Sequence, residues 1–143
     1  MTAYDARLLG ETTMTMKDGK HENPLARHGG LSYLQIPAQK PELSAAFYSQ
    51  VLGWKIDQRS DDDFRFTDGQ GLLIGRFVLG DAVAQGNALA PYYYVSDLDR
   101  ALEYVAECHC EVVEPAKLDG DLRRALVRDP AGNQVGLWQF VAH

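Results

Sequence analysis

Cysteine, long apolar runs and positive charge are all scarce in this sequence of 143 residues, and each scarcity excludes a class of protein. The two cysteines, Cys108 and Cys110, are separated by one residue, which makes a disulfide between them geometrically awkward. No apolar run approaches the roughly 20 residues that a membrane-spanning helix needs. Lysine and arginine total 14 against 20 aspartates and glutamates, so the clustered positive charge of a nucleic-acid-binding protein is missing.

These absences leave a globular, cytoplasmic protein as the expectation. Residues 1–11 contain no apolar segment of the kind found in secretory signal peptides. The length suits one domain with a core of its own. Residues 1–27 are polar and show little periodicity, so we expect a mobile N-terminal extension ahead of a domain that spans residues 28–143.

From residue 30 onward the pattern predicts a strand, a helix and three strands, and then the same order again. Strands are predicted at residues 31–36, 54–59, 64–67, 72–79, 92–95, 110–113, 123–128 and 134–140. One helix begins at Pro41 and stops at Gly53, and the other is capped by Ser96 or Asp97. Pro37 is expected to end the first strand, and Pro115 to follow the strand at 110–113.

This internal repeat predicts the architecture. Neither copy can bury its sheet face alone, so the modules 28–80 and 90–143 should pack together. We therefore expect an α+β fold of two tandem βαβββ modules, with sheets that form a concave cavity and helices on the outer faces. Residue types also repeat between the modules. Asp68-Gly69-Gln70-Gly71 matches Asp129-Pro130-Ala131-Gly132, and Ile74-Gly75 then matches Val135-Gly136.

Three motifs in this order resemble the glyoxalase/bleomycin-resistance (vicinal oxygen chelate) superfamily, and in particular its bacterial glyoxalase-like proteins. They are Phe47-Tyr48 with Val51-Leu52-Gly53-Trp54, the segment from Val95 to Leu102, and the turn Asp129-Pro130-Ala131-Gly132-Asn133. The resemblance covers about residues 29–140. It implies a homodimer, and it implies a divalent metal held by histidine, glutamine or glutamate from the first and last strands of each module.

This chain departs from the superfamily at the metal ligands. The resemblance places them at Tyr33, Gly75, Ala90 and Gly136. Glycine and alanine carry no donor atom, and a neutral tyrosine is a poor ligand for a divalent metal. A shift of one residue along the strands does not help. We therefore expect no metal cofactor.

The histidines do not supply a replacement. His21 and His28 lie in or next to the extension, His143 is the last residue, and His109 lies between the two cysteines. A zinc site at Cys108-His109-Cys110 is an alternative, but zinc ligands are usually spaced by two to four residues and need a second pair elsewhere. We interpret the triplet as a turn between helix and strand, with Cys110 packed in the core.

Aromatic side chains with a few polar groups are predicted to line the cavity, as in most small-molecule sites. The candidate ligand-binding residues share strand faces or lie on neighbouring strands: Tyr33, Gln35, Arg76, Tyr92, Tyr94, Arg124 and Trp138. Gly75 and Gly136 are expected to leave room between them. The alternative is that the rings only fill the interface between the sheets.

Three functions remain open. The first is a metal-free protein that binds a small aromatic or planar molecule. The second is a lyase, isomerase or dioxygenase acting on a small oxygenated substrate, for which Tyr33, Tyr94 and Glu114 are the available acid or base groups. The third is a structural or regulatory partner that acts through the extension or a dimer face. The sequence also leaves open whether the modules pair within one chain or across a dimer.

Overall fold

The computed structural model describes residues 16–17, 20–21, 23–80 and 89–141, and these residues form two helices and ten strands. The elements, in chain order, are β1 (Met16–Lys17), β2 (Lys20–His21), β3 (Tyr33–Ala38), α1 (Pro41–Leu52), β4 (Lys55–Gln58), β5 (Phe64–Thr67), β6 (Ile74–Leu79), β7 (Tyr92–Tyr94), α2 (Leu98–Glu107), β8 (Val112–Asp119), β9 (Leu122–Arg128) and β10 (Gln134–Phe140).

Two four-stranded sheets form the body of the molecule. Their strand orders are β3-β6-β5-β4 and β7-β10-β9-β8. In each sheet the first strand pairs in parallel with the last strand of its module, and the other pairings are antiparallel. The predicted α+β fold with two βαβββ modules is therefore confirmed.

Local chemistry explains where the two helices begin and end. Pro41 opens α1 and needs no backbone N–H there, while Gly53 ends it with a φ of 72°. At the start of α2 the Asp97 carboxylate accepts a hydrogen bond from the backbone N–H of Arg100. Each helix covers one face of its own sheet, and the two helices contact each other. We call the opposite sheet faces, which carry no helix among the described residues, the helix-free faces.

A single core joins the two modules on the helix side. Trp54 stacks on Tyr48 and Phe66 of its own module and meets Tyr93 of the second module edge-on. The side-chain amide of Asn133 donates a hydrogen bond of 2.8 Å to the Pro37 carbonyl in the first module. Within this chain, therefore, both apolar and polar contacts hold the modules together.

Both proline predictions were wrong. β3 continues through Pro37 to Ala38, and β8 continues through Pro115 to Asp119. Each is an edge strand, where a missing backbone N–H can face away from the neighbouring strand. The pairing of β8 with β9 also shifts register on both sides of Pro115, as a bulged edge strand does.

The residue-by-residue match predicted between the modules is wrong by one residue in the last strand of each. A backbone hydrogen bond closes the turn before each last strand, from Asp68 to Leu73 in the first module and from Asp129 to Asn133 in the second. The first turn is thus one residue longer. Gly75 consequently corresponds to Val135, and Arg76 corresponds to Gly136. A shift of one residue moves a side chain to the other face of a sheet.

Most of the N-terminal extension, residues 1–27, lies outside the described residues. At its end the Arg27 guanidinium donates hydrogen bonds to the carbonyls of Leu31, at 2.7 Å, and Leu72, at 3.0 Å. Neither α1 nor α2 is long and apolar enough to cross a membrane, and no other helix occurs in the part of the chain that the structure describes.

Candidate functional site

All seven predicted ligand-binding residues lie on the helix-free faces. Strand pairing places Gln35 opposite Arg76 in the first sheet, and Trp138 between Tyr94 and Arg124 in the second. The ring of Tyr93 points to Trp54 in the core. Because neighbouring side chains along a strand alternate, Tyr92 and Tyr94 point to the opposite side.

The seven residues divide into a polar group and an aromatic group, one on each sheet. In the first sheet the Gln35 side chain donates a hydrogen bond of 3.4 Å to the Tyr33 hydroxyl, and Arg76 lies across the strands from Arg65. Tyr92, Tyr94, Arg124 and Trp138 form the second group. The structure therefore brings together the members of each group on its own sheet.

The aromatic group is a cluster of partly exposed rings that Phe140 extends. The Trp138 ring lies edge-on to Tyr94, with centroids 5.1 Å apart, and edge-on to Phe140, at 5.0 Å. More than half of the surface of Tyr94 and of Phe140 is exposed. A shallow depression of about 390 Å³ adjoins the cluster and is lined by Tyr92, Asp119, Leu122, Arg124 and Trp138. We call this set of rings and the depression the aromatic face.

Arg124 is the cation of the aromatic face, and neighbouring acceptors hold it in place. Its Nε donates to Asp119 Oδ2 at 2.7 Å, and its Nη1 donates to the Tyr92 hydroxyl at 3.4 Å. The hydrogen bond with Asp119 raises the pKa of Arg124 above its ordinary value. Glu114, a candidate acid or base, is ion-paired with Lys117 at 3.1 Å. The face thus offers a positioned, largely neutralised guanidinium.

The glycines do not leave the room expected of them, and that prediction was wrong. A Cβ at Gly136 would overlap the ring of Tyr92, which lies over that position. A Cβ at Gly75 would overlap the Leu34 carbonyl oxygen and the ring of Phe66. Gly75 faces the core because the longer turn before β6 reverses its orientation. Both glycines permit close packing instead of opening a cavity.

A second cavity, of about 370 Å³, lies between the two modules. We call it the seam cavity. Its apolar lining comes from both modules: Leu31, Leu34, Ile36, Pro37, Leu89 and Pro91. Its other lining residues are Gln35, Asn133, Gln134 and the tyrosines Tyr48 and Tyr93. Of these, only Gln35 was predicted from the sequence to bind a ligand.

The buried carboxylate of Asp129 lies behind Tyr48 and Asn133, two of these lining residues. It is 3% exposed and accepts hydrogen bonds from the Tyr48 hydroxyl, from the Asn133 side chain, and from the backbone N–H groups of Ala131 and Asn133. Burial, and after it the charge of Asp129, raises the pKa of Tyr48 well above its ordinary value and that of Tyr93 to about 12. Both tyrosines are therefore neutral phenols.

The Glyoxalase/Bleomycin resistance protein/Dioxygenase superfamily model matches residues 30–137 of this chain. The chain belongs to this superfamily. No curated protein matches it at a significant level.

Several solved structures share the fold. A glyoxalase/bleomycin resistance protein/dioxygenase family enzyme from Burkholderia phytofirmans is 16% identical, with a TM-score of 0.66, over 78% of this chain and 99% of the other. The fosfomycin resistance protein FosX from Mesorhizobium loti is 16% identical, with a TM-score of 0.65, over 78% and 92%. TioX from Micromonospora sp. ML1 is 19% identical, with a TM-score of 0.58, over 79% and 100%. At such identities the likeness shows the fold alone.

The residues of this superfamily member do not fit the divalent metal that the resemblance implies. Among the described residues, no group of three or more histidines, cysteines, aspartates and glutamates could hold a metal ion. Gly75 faces the core, and Arg76, which takes its place on the helix-free face, has a guanidinium that only donates hydrogen bonds. Ala90 precedes β7 and has no donor atom. His21 and His143 lie outside the residues whose side chains are described.

The Cys108-His109-Cys110 triplet does not fit a zinc site either. The Cys108 thiol donates to Gln50 Oε1 at 3.4 Å, and the Cys110 thiol donates to the Cys108 carbonyl at 3.6 Å. Burial raises the pKa of Cys110 to about 11, whereas zinc requires the thiolate. His109 has a φ of 58° in the turn between α2 and β8. The triplet therefore serves as a turn.

Proposed function

We propose that this superfamily member is a metal-independent binding protein for a small aromatic or planar molecule, which it takes on the aromatic face. One observation carries the proposal: Tyr94, Trp138 and Phe140 form a contiguous, partly exposed ring cluster beside the positioned guanidinium of Arg124. Single exposed apolar side chains are ordinary on a protein surface, but contiguous ones mark a binding surface.

The chemistry of these side chains favours a flat ligand. An indole or phenol ring offers a planar apolar body that pairs with another ring by stacking or edge-on contact, worth about 0.5–1.5 kcal/mol beyond burial. The Tyr92 hydroxyl and Arg124 supply hydrogen bonds that orient a polar substituent. Because Asp119 already neutralises much of the Arg124 charge, ring contact should contribute more to affinity than net charge does.

The homodimer expected from the resemblance remains part of this proposal, since an exposed aromatic face also suits a second copy of the chain. Light scattering on the purified protein and on Trp138→Ala tests the assignment of this face. We expect the mass to be the same for both proteins. A dimer that dissociates on this substitution would assign the aromatic face to the dimer contact rather than to a ligand.

Titration with planar probes tests the binding proposal. Proflavine, a planar cation, and 9-anthracenecarboxylate, a planar anion, are followed by fluorescence anisotropy in the presence of the full chain. We expect Trp138→Ala to weaken saturable binding by about tenfold or more, or about 1.4 kcal/mol, and Trp138→Phe to retain most of it. Leu43→Ala is the control, because Leu43 is a 49% exposed side chain on α1, which covers the opposite face of the first sheet. Equal affinities in all three variants would refute the aromatic face as the site.

Metal content tests the other half of the proposal. The protein is expressed with zinc, nickel, manganese and iron supplied, and is analysed by elemental mass spectrometry. We expect less than about a tenth of an equivalent of any metal, because no group of three or more histidines, cysteines, aspartates and glutamates that could hold a metal ion occurs among the described residues. A near-stoichiometric metal that resists mild chelation would contradict metal independence and favour an enzyme of the superfamily.

A further inference from the structure

We propose that the seam cavity is a second binding site, separate from the aromatic face, and that it takes a neutral, mostly apolar small molecule. Its volume of about 370 Å³ falls within the roughly 300–1,000 Å³ of typical small-molecule sites. Leu34 and Ile36 on β3 form one wall, and Pro91 and Tyr93 of the second module form another. The site therefore exists only when the two modules are packed against each other.

The described groups around the seam cavity disfavour an anionic ligand. Among the described residues that line it, none is a lysine, arginine, histidine, aspartate or glutamate. Behind the lining lies the buried Asp129 carboxylate, which is bonded to Tyr48 and Asn133. The Arg27 guanidinium, which donates to the Leu31 carbonyl, is exposed, so solvent screens its charge. In an apolar site the Asp129 charge repels an anion strongly, because little solvent screens it. The raised pKa values of Tyr48 and Tyr93 report the same apolar, negative surroundings.

Amide groups at the seam cavity can hold one polar end of the ligand. Asn133 uses its Nδ2 to donate to both the Pro37 carbonyl and Asp129 Oδ2. The side-chain amide nitrogen carries two hydrogens, so Oδ1 is the atom of this residue that can accept from a ligand. Gln35 and Gln134 add amides from the two modules. A ligand with one N–H or O–H group on an otherwise apolar body matches this arrangement.

A matched pair of fluorescent probes tests the class of ligand on the full chain. N-phenyl-1-naphthylamine is neutral, and 8-anilino-1-naphthalenesulfonate carries the same rings with a negative charge. Both probes are titrated into Trp138→Ala, so that the aromatic face does not contribute. We expect the neutral probe to bind this variant with a stoichiometry of one and about tenfold or more tighter than the sulfonate. Comparable affinity of the sulfonate would overturn the proposal.

Charged substitutions at the mouth of the cavity test its location. Leu31 and Leu89 are 57% and 94% exposed, so Leu31→Glu with Leu89→Glu places charge at the cavity without altering the core. Leu43→Glu with Leu118→Glu is the control pair, with the same charge change at exposed leucines outside the cavity lining. We expect the mouth pair to weaken the neutral probe about tenfold and the control pair to change it less than about twofold. Equal effects of the two pairs would overturn the assignment.

The aromatic face and the seam cavity are tested independently. Trp138→Ala should leave the affinity of the seam cavity for N-phenyl-1-naphthylamine unchanged, because Trp138 is not among the residues that line this cavity, and only the binding of the probe to the aromatic face should weaken. Loss of the neutral probe in Trp138→Ala, with no effect of the mouth pair, would place the probe on the aromatic face and refute the second site. Conversely, failure of proflavine and 9-anthracenecarboxylate to bind has no bearing on the seam cavity.

Discussion

The hydroxyl of Tyr48 donates a hydrogen bond of 2.8 Å to Oδ2 of Asp129, 81 residues further along the chain. Tyr48 lies on α1 of the first module, and Asp129 lies in the turn before β10 of the second. Both groups are buried. The bond therefore ties the modules together at the back of the seam cavity, and it allows a direct test of how much their contact stabilises the fold.

Removing this hydroxyl should destabilise the protein. We expect Tyr48→Phe to lower the free energy of unfolding by about 1–3 kcal/mol, because a buried carboxylate loses one of its donors. Urea unfolding of Tyr48→Phe, Asp129→Asn and the double variant measures the effect as a double-mutant cycle. The loss on Tyr48→Phe should be smaller in the Asp129→Asn background. Strictly additive losses would show that the two groups do not act through their bond.

Stability should fall at alkaline pH. The folded protein holds the pKa of Cys110 at about 11 and that of Tyr93 at about 12, above the ordinary values of 9.0 and 10.0. As the pH rises above these ordinary values, the unfolded chain releases the two protons before the folded chain does. The unfolded state then binds fewer protons than the folded state, so the free energy of unfolding falls as the pH rises further. The stabilisation is complete below pH 9 and declines from pH 9 to 12. In urea unfolding across this range, Cys110→Ala should flatten the decline between pH 9 and 11, and Tyr93→Phe the decline between pH 10 and 12.

The two strand glycines should respond differently to alanine. The three atoms nearest to a Cβ at Gly136 all belong to the Tyr92 ring, which is 41% exposed and can move outward, so we expect Gly136→Ala to lower the free energy of unfolding by about 1–2 kcal/mol. Tyr92→Ala in the same chain should recover much of it. Gly75→Ala meets the backbone oxygen of Leu34 and should cost about 3 kcal/mol or more, without rescue by Phe66→Ala. Thermal unfolding of the unsubstituted protein, the two single glycine variants and the two double variants measures these effects. Equal losses of stability in Gly136→Ala and Gly75→Ala would contradict the packing described.

The cap of α2 gives a matched test on two adjacent residues. Of the two residues predicted to cap the helix, Asp97 is the N-cap, because its carboxylate accepts a hydrogen bond of 3.0 Å from the Arg100 N–H. We expect Asp97→Ala to lower the free energy of unfolding by about 1 kcal/mol. Ser96 is exposed, so Ser96→Ala should change the free energy of unfolding by less than about 0.5 kcal/mol. The reverse order in urea unfolding would show that Ser96 is the cap.

Element order and several boundaries could be predicted because they depend on neighbouring residues. The predicted strands at 64–67 and 134–140 coincide with β5 and β10, and Gly53 ends α1 as expected. Alternation along a strand and the chemistry of turns act within a few residues of the chain. The continuation of β3 through Pro37 and of β8 through Pro115 could not be predicted in this way. Proline is tolerated in an edge strand, and whether a strand lies at an edge depends on which other strands it pairs with.

The candidate site shows the same division. The shared faces of Tyr92, Tyr94 and Trp138 followed from spacing alone. The sheet face on which Gly75 lies could not be predicted by comparing the modules. The turn before Gly75 has one residue more than the corresponding turn of the second module, so the two modules are out of step by one residue there. The seam cavity could not be predicted from the sequence, because its lining residues, such as Tyr48 and Asn133, belong to different modules and come together only in the folded chain.

The sequence by itself determined the superfamily and the repeated βαβββ order. Periodicity, turn residues and the identity of single positions carry that information, and none of them requires contact between distant residues. Only the tertiary structure decided that Gly75 and Gly136 are packed tightly, that Asp129 is buried against Tyr48, and that a cavity lies between the modules. Those features arise where segments far apart in the chain meet, so their geometry depends on how the two sheets and helices pack.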